Sequence, residues 1–91
     1  AKLENVQTLT GHKGIAWNVS WHPFGKMFAS CGEDKIIKLW KTEGGKWVMK
    51  AVLVDGHNRT IRQVAWSTGG NFLASASFDG TAAVWDQRTG V

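Results

Sequence analysis

Residues 56–66, GHNRTIRQVAW, decide how the chain reads, because residues 11–21, GHKGIAWNVSW, are their counterpart forty-five positions earlier. Working outward from this pair, the correspondence persists without a gap. Val19 and Trp21 recur as Val64 and Trp66, Gly25 as Gly70, Ala29-Ser30 as Ala74-Ser75, Asp34 as Asp79, and Trp40 as Trp85. Self-similarity at a fixed period marks one supersecondary unit used repeatedly, in which neighbours supply the core that a single unit cannot bury.

The segments between these markers read as short strands. AWNVSW (16–21) and IRQVAW (61–66) alternate in the manner of half-buried strands. Residues 27–31 and 72–76 are small-residue runs suited to close packing between sheets, and residues 36–40 and 81–85 follow as further strands. WVMKAVL (47–53) makes a fourth strand, with residues 3–9 as its counterpart one period earlier. HPFG, EDK, TEGG, STGG and FDG separate the strands, each with Gly, Pro or Asp suited to a turn. Six Trp and eleven Gly in 91 residues agree with an all-β repeat built on tight turns.

Gly-His near one end of a unit of this length and Trp-Asp near the other, literal in Trp85-Asp86 and altered to Trp40-Lys41 in the first copy, resemble the WD40 repeat. The expected fold is therefore all-β. It comprises two WD40 repeats, residues 1–45 and 46–91, each an outer strand plus three more of a four-stranded antiparallel blade. The first outer strand leads the chain and the outer strand after residue 91 is missing, so one complete blade is flanked by two complementary pieces. Bare sheet edges are a hazard, and propellers take about 4–8 blades. Head-to-tail closure of identical copies is thus expected, with four copies favoured over three, giving eight or six blades; the competing reading is a fragment of a longer propeller.

Each unit carries the same polar set: His12, Ser30, Asp34 and Trp40, then His57, Ser75, Asp79 and Trp85. Ser, His and Asp together invite a hydrolase reading. The WD40 resemblance implies instead a structural chain of hydrogen bonds from indole to hydroxyl to imidazole to carboxylate. Buried polar groups of this kind must satisfy one another. No catalytic residue is expected. His12, His22 and His57 match no zinc spacing, no cysteine pair supports them, and no metal or cofactor is expected. Cys31, the single cysteine, can form no internal disulfide; its counterpart is Ala76, so it reads as a small core residue.

Partner binding is expected on the loop face bearing the Gly-His pairs. There Ile15, Trp17 and Glu33 of the first unit correspond to Thr60, Arg62 and Phe78 of the second, with Arg59 beside them. Arg, Trp and other aromatics are the types enriched in binding hot spots. The net charge of +4 is spread along the chain, so nucleic acid is not an expected partner. No apolar run approaches the roughly 18 residues of a membrane span, and none reads as a signal peptide. FASCGEDKIIKLWKTEGGKW (28–47) and VLVDGHNRTIRQVAWSTGGNFLASASFDGTAAVW (52–85) resemble the first two repeats of the WD40 proteins of cytosolic iron–sulfur assembly. That resemblance implies a cytoplasmic, non-catalytic scaffold whose partners are proteins of an iron–sulfur targeting complex. The alternative is an engineered or minimal propeller fragment whose only activity is self-assembly into a ring of six or eight blades.

Overall fold

The computed structural model describes residues 3–86. Its strands are β1 (Ala16–Trp21), β2 (Met27–Gly32), β3 (Ile37–Glu43), β4 (Lys46–Leu53), β5 (Ile61–Trp66), β6 (Phe72–Ser77) and β7 (Ala82–Asp86). There is no helix among the described residues. Two antiparallel sheets form, ordered β1-β2-β3-β4 and β5-β6-β7. The four-stranded blade therefore crosses the boundary at residues 45 and 46. β3 and β4 are joined by a tight hairpin at Gly44 and Gly45, whose φ of 61° and 82° suits a two-residue turn that few other residues adopt.

The period visible in the sequence is reproduced bond by bond. His22 N–H donates to Met27 O, and Ser67 N–H to Phe72 O, at 2.9 and 2.8 Å. Glu33 N–H donates to Ile15 O, and Phe78 N–H to Thr60 O, at 2.8 and 3.0 Å. A register shift falls between Ala16 and Asn18 in one sheet and between Ile61 and Gln63 in the other. One backbone position is harder on the first copy: Lys35 has φ 69°, where its counterpart Gly80 has φ 85°.

The blades pack face to face. Met27, Ala29, Cys31, Ile37 and Leu39 of the first sheet meet Ile61, Val64 and Leu73 of the second. Small residues on β2 let the sheets approach, and Ala29 and Cys31 are fully buried. Burial, only partly offset by the Arg62 charge and an Asn18 backbone bond, pushes the Cys31 thiol up to about 11. Polar atoms stitch the same seam. Val64 N–H donates to Asn18 Oδ1 (3.1 Å), Trp66 Nε1–H to Ser20 O (3.1 Å), and the buried His22 bonds through Nε2 to Gly70 O (3.0 Å). On the far side of the first blade, Trp21, Phe28 and Trp47 pack with ring centroids 5.3 Å apart.

The expected strand at residues 3–9 does not form. The reason is physical: the backbone of the segment forms no ladder with a neighbouring strand, and extended backbone alone gains nothing. The segment is instead tied to β4 through one side chain. Gln7 Oε1 accepts from Trp47 N–H (2.9 Å) and Gln7 Nε2 donates to Trp47 O (3.1 Å). The strands expected at residues 36–40 and 81–85 begin one residue later than expected, and β3 runs on to Glu43, because the Gly44-Gly45 hairpin keeps it paired with β4.

Candidate functional site: two polar chains and the loop cluster at the blade seam

In the first blade, the loop before β1 brings His12 over β2, and the turn after β2 presents Asp34. Trp40 Nε1–H donates to Ser30 Oγ at 2.9 Å, Ser30 Oγ lies 2.7 Å from His12 Nε2, and His12 Nδ1 lies 2.9 Å from Asp34 Oδ2. The carboxylate can only accept, so Nδ1 carries the proton and Nε2 accepts from the serine hydroxyl. Every donor in the chain then has one acceptor. Asp34 also accepts Lys13 N–H at 3.1 Å, pinning the loop to the turn.

The second blade repeats the indole end and changes the carboxylate end. Trp85 Nε1–H donates to Ser75 Oγ at 3.0 Å, and Ser75 Oγ lies 2.7 Å from His57 Nε2. His57 Nδ1 then meets Thr81 Oγ1 at 3.1 Å, while Asp79 stands back at 3.4 Å. Thr81 Oγ1–H donates to Asp79 Oδ1, which fixes the threonine oxygen as acceptor from the imidazole. Asp79 accepts two further backbone bonds, from Asn58 N–H (2.8 Å) and Thr81 N–H (2.9 Å). The Thr81 hydroxyl first, then these amides and His57, hold the Asp79 carboxyl well below the usual carboxylate range.

The sequence reading placed His57 directly on Asp79; the hydroxyl of Thr81 intervenes. The signal was present, because the counterpart of Thr81 is Ile36, which has no hydroxyl to insert. Gly56 has a steric reason for being glycine: a Cβ there would lie 2.3 Å from Trp85 Cζ2. Ser30 and Ser75 are 4% and 2% exposed, each with its oxygen already accepting from an indole.

Of the loop residues, the structure gathers three from both blades. The Arg62 guanidinium carbon lies 5.1 Å from the Trp17 ring centroid, and Trp17 meets Phe78 edge-on at 6.4 Å. Trp17 is thus a bridge across the seam, with Phe78 58% exposed beside it. Ile15 and Glu33 form a separate exposed pair, Ile15 N–H pointing at Glu33 Oε1 at 3.4 Å. Arg59 is exposed, its carbonyl accepting Ser77 Oγ–H at 3.1 Å, and Thr60 is half-buried. Sequence reasoning missed Asn18, Ser20 and His22 as seam residues; only a three-dimensional neighbour gives them their role.

A blade of antiparallel strands bearing this indole–hydroxyl–imidazole chain, repeated at one period, defines a β-propeller repeat. The chain belongs to the WD40 family: the WD domain, G-beta repeat family matches residues 3–41 and 47–86. Among curated relatives it is similar to the probable cytosolic iron-sulfur protein assembly protein Ciao1 of Culex quinquefasciatus, with 58% identity over 98% of this chain and 27% of the relative. It is similar to the CIAO1 homolog of Schistosoma japonicum (40%, over 91% of this chain and 24% of the relative). Protein CIA1 of Arabidopsis thaliana is 38% identical over 92% of this chain and 26% of its own length. The chain thus spans about a quarter of the length of these relatives.

Proposed function

We propose that these two blades serve a cytosolic, non-catalytic protein-interaction scaffold in iron–sulfur protein assembly. The observation that carries this reading is 58% identity, across nearly the whole chain, to a relative named for that process. The seam-end cluster of Trp17, Arg62 and Phe78, with Ile15, Glu33, Arg59 and Thr60 around it, is the partner-binding face. It combines an exposed aromatic, a bridging indole and a cation in the composition that hot spots favour. The absence of catalysis is supported by the buried serines, since a nucleophile needs access to substrate.

The test is a chimera in which residues 3–86 replace the matching segment of the Culex relative, assayed for maturation of cytosolic iron–sulfur enzymes in cells lacking that relative. The chimera should restore maturation, and Trp17→Ala with Arg62→Glu should abolish it while leaving expression unchanged. A folded chimera that restores nothing would defeat the reading. As an isolated chain, its further partner is another copy of itself, joined head to tail, with four copies favoured over three. Apolar faces exposed on both blades favour this second reading.

A further inference from the structure

The sequence holds two Asp-Gly dipeptides, Asp55-Gly56 and Asp79-Gly80. In this pairing glycine leaves its backbone nitrogen unshielded by a side chain, so the preceding carboxyl can reach it. The fold holds the two dipeptides in opposite ways. At the second, Gly80 N–H donates to Ser77 O at 3.2 Å. Asp79 Oδ2 accepts Asn58 N–H, and Oδ1 accepts both the amide and the hydroxyl of Thr81. At the first, in the loop between β4 and β5, neither the Asp55 carboxylate nor Gly56 N–H has a hydrogen-bond partner among the described residues. Asp55 is also exposed, and its φ of 67° lies in the left-handed region that residues with a Cβ rarely occupy.

We propose that Asp55-Gly56 is a site of spontaneous aspartate isomerisation, whose isoaspartyl product is a substrate for carboxyl methyl transfer by a repair enzyme. Gly56 N bonds to Asp55 Cγ, its proton and the carboxyl hydroxyl leaving together as water, and a succinimide ring closes. Water then adds at the Asp55 α-carbonyl and cleaves its bond to Gly56 N. The chain now runs through the β-carboxyl, longer by a methylene, and the α-carboxylate projects from an exposed loop. No oxidant or reductant is consumed, and the mass is unchanged. The added methylene falls where the fold has no slack. A Cβ on Gly56 would lie 2.3 Å from Trp85 Cζ2. The next residue is the buried His57, bonded through Nε2 to Ser75 Oγ. Isomerisation therefore displaces Gly56 against the Trp85 indole and draws His57 off Ser75, opening the second polar chain.

The test ages the folded chain at neutral pH and body temperature. Isoaspartate is read at each site by methyl transfer from S-adenosylmethionine with an isoaspartyl methyltransferase, followed by peptide mapping. Asp55 should accumulate it at least about tenfold faster than Asp79, and urea should bring the two rates together, because only folding protects Asp79. Asp55→Asn closes the same ring with loss of ammonia and should convert faster than the unmodified chain. Asp55→Gly accepts the left-handed backbone and has no carboxyl. It should keep its melting temperature on ageing, while the unmodified chain loses stability as isoaspartate builds up. Equal accumulation at the two sites of the folded chain, or none at Asp55, overturns the site. An isomerised chain that melts with the fresh one overturns its link to the second polar chain.

Discussion

Ser75→Ala removes one oxygen that serves two buried groups. It accepts from Trp85 Nε1–H at 3.0 Å and donates to His57 Nε2 at 2.7 Å, and the serine itself is 2% exposed. Alanine leaves no room for a replacing water, so an indole donor and an imidazole acceptor both lose their partner. Each orphaned group costs about 1–3 kcal/mol, with the half-buried indole at the lower end. The expected loss is about 2–4 kcal/mol, a large share of the stability of a domain this size. The melting temperature should fall by on the order of 15 °C. Urea unfolding followed by far-ultraviolet circular dichroism measures the loss directly. Trp85→Phe supplies the second arm of a cycle, because it deletes the indole donor that Ser75→Ala orphans. The double variant should cost less than the sum of the singles by about 1 kcal/mol. A loss below about 0.5 kcal/mol, or strict additivity, would refute the claim that the oxygen couples both groups.

Three further outcomes follow from individual residues. Lys35→Gly should raise stability by about 0.5–1 kcal/mol in the same assay, because it relieves a φ of 69° that its counterpart Gly80 meets without a Cβ. Asp79 has a lowered folded pKa, so its contribution is present above the usual carboxylate range and is lost as pH falls through the folded value. Below about pH 4 the melting temperature should drop, and Asp79→Asn should flatten that limb, the two curves converging in acid. Cys31, with its thiol raised to about 11, stays protonated at about pH 8. Its alkylation by iodoacetamide should run at least roughly a hundredfold slower than in urea; equal rates would place the thiol at the surface.

The period was legible because it is written in residues with fixed jobs: glycines at turns, and tryptophan, serine, histidine and aspartate along one hydrogen-bonded chain. Strand limits followed to within a residue or a few at most positions, since alternation and turn chemistry are local. What was illegible depended on neighbours. Residues 3–9 carry a strand pattern, but a strand needs a backbone ladder, and the segment reaches β4 only through the Gln7 side chain. Thr81 enters the second polar chain through geometry that a list of matched residues conceals, although its mismatch with Ile36 was in view. Asn18 and His22 read as ordinary polar residues until the second blade stands against them. Arg62 and Trp17 read in sequence only as separate exposed loop ends, and only the structure stacks one on the other.

The Gln7 amide lies against Trp47 in the way a peptide group of an adjoining strand would, giving and receiving one bond each. β4 is an outermost strand, the kind that recruits foreign strands into fibrils. A chain seeking to extend the sheet there must first evict a side chain already bonded at both ends. Gln7 thus covers one residue of that edge, and its replacement by alanine, which frees both backbone groups of Trp47, should shorten the lag before thioflavin-positive aggregates form; an unchanged lag would refute this.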